Sequence, residues 1–287
     1  MTQTSPQQAA NQTNATMNFA FTRLMTDGPR RATSLNELLA AKDVSRETWL
    51  FACPHDDDIV VGAGLWLMAA IDAGADVHLL VATDGRMGYC THEQRDSIVS
   101  IRREECLKSY ELLGLPREKV HMLGFPDCAL SGFLGRRPAQ SGEPEVAGFT
   151  GLQNAFVAKL RELCPHRLLM PSPADYHPDH QIVHNEMQIS LFHAAGAIWP
   201  ELGEPCDVPE VYELAVYCDF PSAPNLEVWA NSEQFDSKLA AIEAYASQLQ
   251  IEMLVEQIRN SGPYEYLREV NFRFYRPDLY RPLFRTS

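Results

Sequence analysis

Cysteine pairs at metal or redox spacing are missing from this sequence. Its seven cysteines are scattered, odd in number, and no two form a C-x-x-C. That argues against a zinc ribbon or a thioredoxin-type couple. A chain of 287 residues can bury a full core without disulfide staples, so the expectation is reduced thiols in a cytoplasmic protein. Long apolar runs are missing too: the most apolar stretch, Ile59 to Ile71, is too short to span a bilayer. The first 18 residues are rich in Gln, Thr and Asn. With no basic start and no apolar stretch, they read as a polar tail rather than a signal peptide. Positive charge is scarce, with 24 Lys+Arg against 38 Asp+Glu, a net charge of −14. Nucleic acids and anionic membranes recruit basic surfaces, so neither is an expected partner. A small neutral or cationic substrate stays open.

What is present is an alternation of short apolar runs with helical patterns. Thr48 to Cys53, Asp76 to Thr83, Lys119 to Leu123, His166 to Met170 and Val211 to Tyr217 read as strands. Ile59 to Ala73, Gln94 to Leu113, Leu152 to Leu163 and Gln181 to Ala195 read as helices, and Ser232 to Val255 as a helix or helix pair. This order predicts an α/β fold with a mostly parallel, doubly wound sheet and helices on both faces. No composition break or repeat divides residues 19–287, which read as a single domain. Its last part, Gly262 to Ser287, looks less regular.

Ligands of such sheets bind beyond the carboxyl ends of the strands, and the polar chemistry is concentrated there. Pro54-His55-Asp56-Asp57-Asp58 follows the first strand, Thr83-Asp84-Gly85-Arg86 the second and Gly124-Phe125-Pro126-Asp127 the third. Asp175-Tyr176-His177-Pro178-Asp179-His180 follows the fourth. Two histidines and a carboxylate make a zinc-type donor set with one position left for water. Three adjacent aspartates resist joint ionisation without a cation. A bland alternative is that one of them only caps the next helix, but capping leaves the histidines unexplained. Gly62-Ala63-Gly64 lacks the third glycine of a dinucleotide loop and lies inside a helix pattern.

P-H-D-D-D followed about 120 residues later by H-P-D-H, with T-D-G and R-R-E-E between them, resembles the PIG-L/LmbE-like zinc-dependent de-N-acetylases. The resemblance runs from about Trp49 to Gln248. It implies a Rossmann-like fold, one zinc ion, and removal of acetyl from an N-acetylglucosaminyl-type amino sugar. It places His55, Asp58 and His180 on the metal. Asp57 becomes the general base and His177 the residue that holds the oxyanion or protonates the leaving amine, with Asp179 orienting His177. Arg102 and Asp127 match substrate-contacting positions, and Arg86 stands in a loop that would line the pocket. Two departures are Asp56, where the family usually has Pro, and Ile59, where it has Glu. Some members carry Tyr two residues before the H-P-D-H histidine; here that position is Asp175 and the tyrosine is Tyr176. The Gly/Pro-rich segments Ser131 to Gly151 and Trp199 to Pro209 are the expected specificity loops. A zinc amidase for another amide or a thiol conjugate, and a non-catalytic sugar-binding relative, are the competing readings. A homo-oligomer is compatible with the sequence, which carries no signal for its size.

Overall fold

The computed structural model describes residues 17–285. All of the expected polar tail but residues 17 and 18 lies outside them. In chain order come β1 (Phe19–Met25), β2 (Gly28–Ala32), α1 (Leu35–Leu38), β3 (Thr48–Cys53), α2 (Asp58–Gly62), α3 (Gly64–Asp72), β4 (Asp76–Thr83), α4 (Ile98–Leu112) and β5 (Val120–Phe125). They are followed by β6 (Arg137–Pro138), β7 (Phe149–Thr150), α5 (Leu152–Leu163), β8 (Arg167–Pro171), α6 (Pro178–Ala194), β9 (Glu210–Leu214), β10 (Leu226–Ala230), α7 (Ser232–Glu243), α8 (Ile251–Ser261) and β11 (Tyr264–Val270).

Nine strands form one sheet in the order β2-β1-β10-β11-β9-β8-β3-β4-β5. From β9 to β5 all pairings are parallel, as expected for the α/β half. The other four strands pair antiparallel. They extend the sheet beyond the strands that the sequence reading placed. Its less regular C-terminal segment is corrected here, because residues 264–270 are β11, a strand inside the sheet. Glu265 and Leu267 point inward while Tyr264 and Tyr266 are exposed, the period-two pattern of a strand covered on one face.

The central strands are apolar throughout because both faces are covered. Along β3, Trp49, Phe51 and Cys53 pack into one core with α3, α7 and α8. Leu50 and Ala52 pack into the other with α5 and α6. The single helix expected over Ile59 to Ala73 is two helices, α2 and α3. At Gly62 the chain runs so close to β9 that an added Cβ would lie 2.6 Å from the Ala215 carbonyl oxygen. The N–H groups of Leu65 and Trp66, freed by the break, donate to Glu265 Oε2 at 2.9 and 3.2 Å. Lys238 in turn donates to Glu265 (2.5 Å) and to the Val61 carbonyl (2.9 Å). α4 begins at Ile98 and not Gln94, because Gln94 reaches back to the Cys90 and Thr91 N–H groups and closes its own turn.

Candidate active site

The two histidine motifs of the site each follow the carboxyl end of a parallel strand. β3 ends at Cys53, and the turn into α2 carries Pro54 to Asp58. The Asp58 carboxylate folds back to accept the His55 N–H at 2.8 Å. α6 starts inside the H-P-D-H motif, three residues before the expected start. His177 is its N-cap, accepting the Asp179 N–H on Nδ1 at 3.3 Å, and Pro178 takes the first turn, where its missing N–H costs nothing.

The two turns bring three buried donors together. His55 Nδ1 and His180 Nε2 are 3.3 Å apart. Asp58 lies 3.4 Å from the first through Oδ2 and 3.2 Å from the second through Oδ1. Asp58 Oδ1 is buried with no hydrogen-bond partner. Donors around a tetrahedral zinc at bond lengths of about 2.0–2.1 Å lie roughly 3.3–3.4 Å apart, so these residues fit one ion. The surrounding charge fits it too. Asp56, Asp57, Asp58, Asp127, Asp175 and Asp179 converge here, with Arg102 against them. Burial pushes the His55 pKa down, but Asp58, Asp127 and Asp179 overcome it and hold it well above the ordinary value. Burial pushes Asp58 up, and the paired His180 and His55 outweigh it and pull it down.

His55 uses its second nitrogen as well. Nε2 lies 3.3 Å from Asp127 Oδ1 and 3.5 Å from Asp179 Oδ2. Metal-bound histidines characteristically give their other ring N–H to a carboxylate, which fixes tautomer and orientation. The geometry therefore revises two expectations. The Asp179 carboxylate does not reach His177. It accepts the Cys128 N–H at 2.8 Å and faces His55, while only its backbone touches His177. Asp127 is buried beneath His55 and also accepts the Met87 N–H at 3.1 Å, so it braces the site as well as lining it.

Asp57 occupies the N-cap position of α2 yet makes no side-chain capping bond. Its carboxylate lies in the cleft, 3.0 Å from Arg102 Nη2. Arg102, from α4, is buried and also forks onto Asp56, with Nε at 3.0 Å. Burial opposes its charge, and Asp57 and Asp56 hold its pKa up regardless. Arg86 departs from expectation. It is exposed, its guanidinium is bound to Asp84, and it is not part of the cleft wall.

The cleft, about 170 Å³, is walled by His55, Asp57, Arg102, Asp127, His177 and five residues that the sequence reading missed: Met87, Gly88, Cys128, Tyr217 and Gln248. Tyr217 follows β9, so the strand-end rule that located the other four turns could have found it. Its ring lies 5.1 Å from that of His180 and 6.0 Å from that of His177. Gln248 carries no pattern; it reaches the cleft from the turn between α7 and α8 and donates to the Gly88 carbonyl at 2.9 Å. Tyr176 is 84% exposed and lies outside the cleft wall. Neither expected specificity loop lines the cleft. The first forms the β6–β7 hairpin against α5, with Arg136 stacked on Phe149 and Trp199. The second is anchored by Arg161, which donates to the Trp199 and Gly203 carbonyls.

Comparison with known proteins agrees with this geometry. A family model described as PIG-L, GlcNAc-PI de-N-acetylase, matches residues 50–189. A 1D-myo-inositol 2-acetamido-2-deoxy-alpha-D-glucopyranoside deacetylase of Rhodococcus jostii is 27% identical over 245 residues, 72% of this chain and 84% of that one. A diacetylchitobiose deacetylase of Thermococcus kodakarensis is 32% identical over 132 residues, 45% of this chain and 43% of that one. Among solved structures, the conserved protein TT1542 of Thermus thermophilus superimposes with a TM-score of 0.59 at 25% identity, covering 80% of this chain and 98% of that one. The matched segment runs from β3 into α6 and contains both histidine motifs, so residues 50–189 are similar to a PIG-L de-N-acetylase domain.

Proposed function

We propose that this protein is a zinc-dependent deacetylase that hydrolyses the acetamide of an N-acetylated amino sugar to acetate and a free amine. The observation that carries the reading is the buried triad of His55 Nδ1, Asp58 and His180 Nε2, spaced 3.2–3.4 Å apart at the end of the cleft that holds Asp57 and His177. These three residues would hold the ion. When bound, zinc supplies Lewis acidity and brings the pKa of water to about 7.

The chain's own groups supply the rest. Asp57 is the general base: uncommitted to the helix cap and facing the cleft, it takes the proton of the attacking water. Its partner Arg102, 3.0 Å away through Nη2, fixes its direction. His177 accepts the Asp179 N–H on Nδ1, so in its neutral form the ring carries hydrogen on Nε2. Burial, with His55 and His180 nearby, keeps its pKa below the ordinary value and favours that neutral form. It donates to the developing oxyanion, which is where preorganised donors act most strongly, and then serves the departing nitrogen. The sugar lies against Met87, Cys128, Tyr217 and Gln248.

The deacetylases among the relatives act on acetamido sugars by name, which supports the substrate class. A cytoplasmic address is supported by seven unpaired cysteines, and no helix among the described residues is long and apolar enough to cross a membrane. The test is zinc content together with acetate release from a panel of N-acetyl sugars. Stoichiometric zinc with acetate release supports the reading. A zinc-loaded protein that binds the sugars and releases nothing overturns it in favour of a binding protein.

A further inference from the structure

Away from the cleft, two unpartnered surfaces complement each other. The first is the segment after β11, residues 271–285. It carries Arg273, Arg276, Arg281 and Arg285 against one carboxylate, Asp278, in a chain of net charge −14. Arg276 pairs with Asp278 at 2.6 Å. No carboxylate among the described residues pairs with the other three arginines. Between them stand Tyr275, Leu283 and Phe284, exposed by 81%, 76% and 86%. The segment is not loose at its root. Phe272 packs into the core beneath α5 and α6, and Phe274 rests on Phe192 of α6 with ring centres 5.8 Å apart. Beyond that contact the apolar side chains cover nothing. Soluble chains rarely leave such a cluster uncovered unless something docks on it.

The second surface is a groove of about 550 Å³ along α7 and α8, walled by Glu243, Glu252 and Glu256 and floored by Ile251 and Val255. No cation among the described residues pairs with these three glutamates. Arg259, also on the wall, is 4.0 Å from Asp236. Leu249 and Met253, exposed by 72% and 59%, flank the groove's Ile251 and Glu252 in sequence. One surface is cationic and aromatic; the other is anionic with an apolar floor.

They cannot meet within one chain by a local adjustment. Phe272 belongs to the core on the α5–α6 side of the sheet. Ile251, Leu254 and Val255 belong to the core on the opposite side. The nine-stranded sheet stands between them. We propose that residues 275–285 of one chain dock in the α7–α8 groove of a second copy. Arg281 and Arg285 face Glu252 and Glu256, and Leu283 and Phe284 cover Leu249 and Met253. The contact joins two different surfaces, so it is heterologous and closes into a ring where the rotation between copies allows it. Gln248 of the cleft wall adjoins Leu249 in sequence, so each docked segment lies beside its neighbour's cleft.

Sedimentation equilibrium of the purified full chain at low and high salt tests this. The expected result is a closed oligomer that weakens as salt screens the pairs. Arg281→Glu with Arg285→Glu should weaken association about tenfold or more, as should Glu252→Arg with Glu256→Arg. The four-fold variant, which restores opposite charges in reverse, should recover most of it, the signature of direct coupling. All four positions are exposed, and truncation after Phe274, with its fold checked by circular dichroism, gives a second route to the monomer. A monomeric full chain, an oligomer indifferent to the truncation, or a reversed-charge variant that stays dissociated overturns the proposal. So does a monomer that instead binds vesicles of anionic lipid through this segment.

Discussion

Asp175 Oδ2 lies 3.3 Å from His180 Nδ1, on the side of the ring away from the donor triad. The same buried carboxylate accepts the His177 N–H at 2.9 Å and the Tyr217 N–H at 3.2 Å. One side chain thus ties a proposed metal ligand, the proposed oxyanion donor and the β9 loop into a single unit. Carboxylates behind a ligating histidine typically contribute 10–100-fold to metal affinity. Asp175→Ala should therefore weaken zinc binding by about that factor in a chelator competition, and Asp175→Asn by less. Unchanged affinity in the alanine variant would show that the contact does not orient the ligand.

Asp57→Asn separates two roles for one residue. If Asp57 is the base, the variant keeps zinc and loses about 10²–10⁴ in kcat. If it were only a helix cap, asparagine would serve as well and turnover would be near normal. The absent capping bond favours the first outcome. Turnover by the zinc-loaded variant, with metal content measured on the same sample, decides.

The two histidine turns were legible because their pattern is local. His55 with Asp58, and His177 with His180, each lie within four residues at a strand end, and both turns formed where the alternation of apolar runs put them. The second row was not legible. Asp127 and Asp179 both meet His55, across 72 and 124 residues, a pairing that depends on strand register. The break at Gly62 depends on the approach of β9, and β11 on a sheet edge that the parallel pattern does not announce. Arg86 misled for a related reason. Its position beside T-D-G was right, but Asp84, two residues away, holds its guanidinium.

That contrast predicts how two arginines will differ. Arg86→Ala should leave kcat and KM within about twofold, since an exposed ion pair contributes little. Arg102→Ala leaves Asp56 and Asp57 without their buried counter-charge. Breaking such a pair costs about 3–5 kcal/mol, and the base loses its orientation as well. Lower stability in urea and a fall in kcat are expected, beyond the rise in KM that a pure substrate contact would give. A KM effect alone would show that Arg102 serves only the substrate.

The last prediction concerns stability far from the cleft. His78 on β4 and His121 on β5 stack with ring centres 5.2 Å apart, and Nδ1 of the first meets Nε2 of the second at 2.9 Å. Burial lowers both pKa values, His121 to about 4 with help from Lys159. A histidine held below its unfolded value of about 6.5 is neutral in both states at pH 7.5, so it contributes no pH dependence there. As pH falls below 6.5 the unfolded chain takes up the proton and the folded one resists. Stability therefore declines steadily down to about pH 4. His121 is only half-buried, so solvent screening discounts the full linkage value to about 1 kcal/mol. His121→Gln removes that proton uptake. Measured by urea unfolding, the variant should gain about 1 kcal/mol on the parent between pH 7.5 and pH 4.5. A difference that stays constant with pH would show that His121 takes up its proton in the folded protein as readily as in the unfolded one.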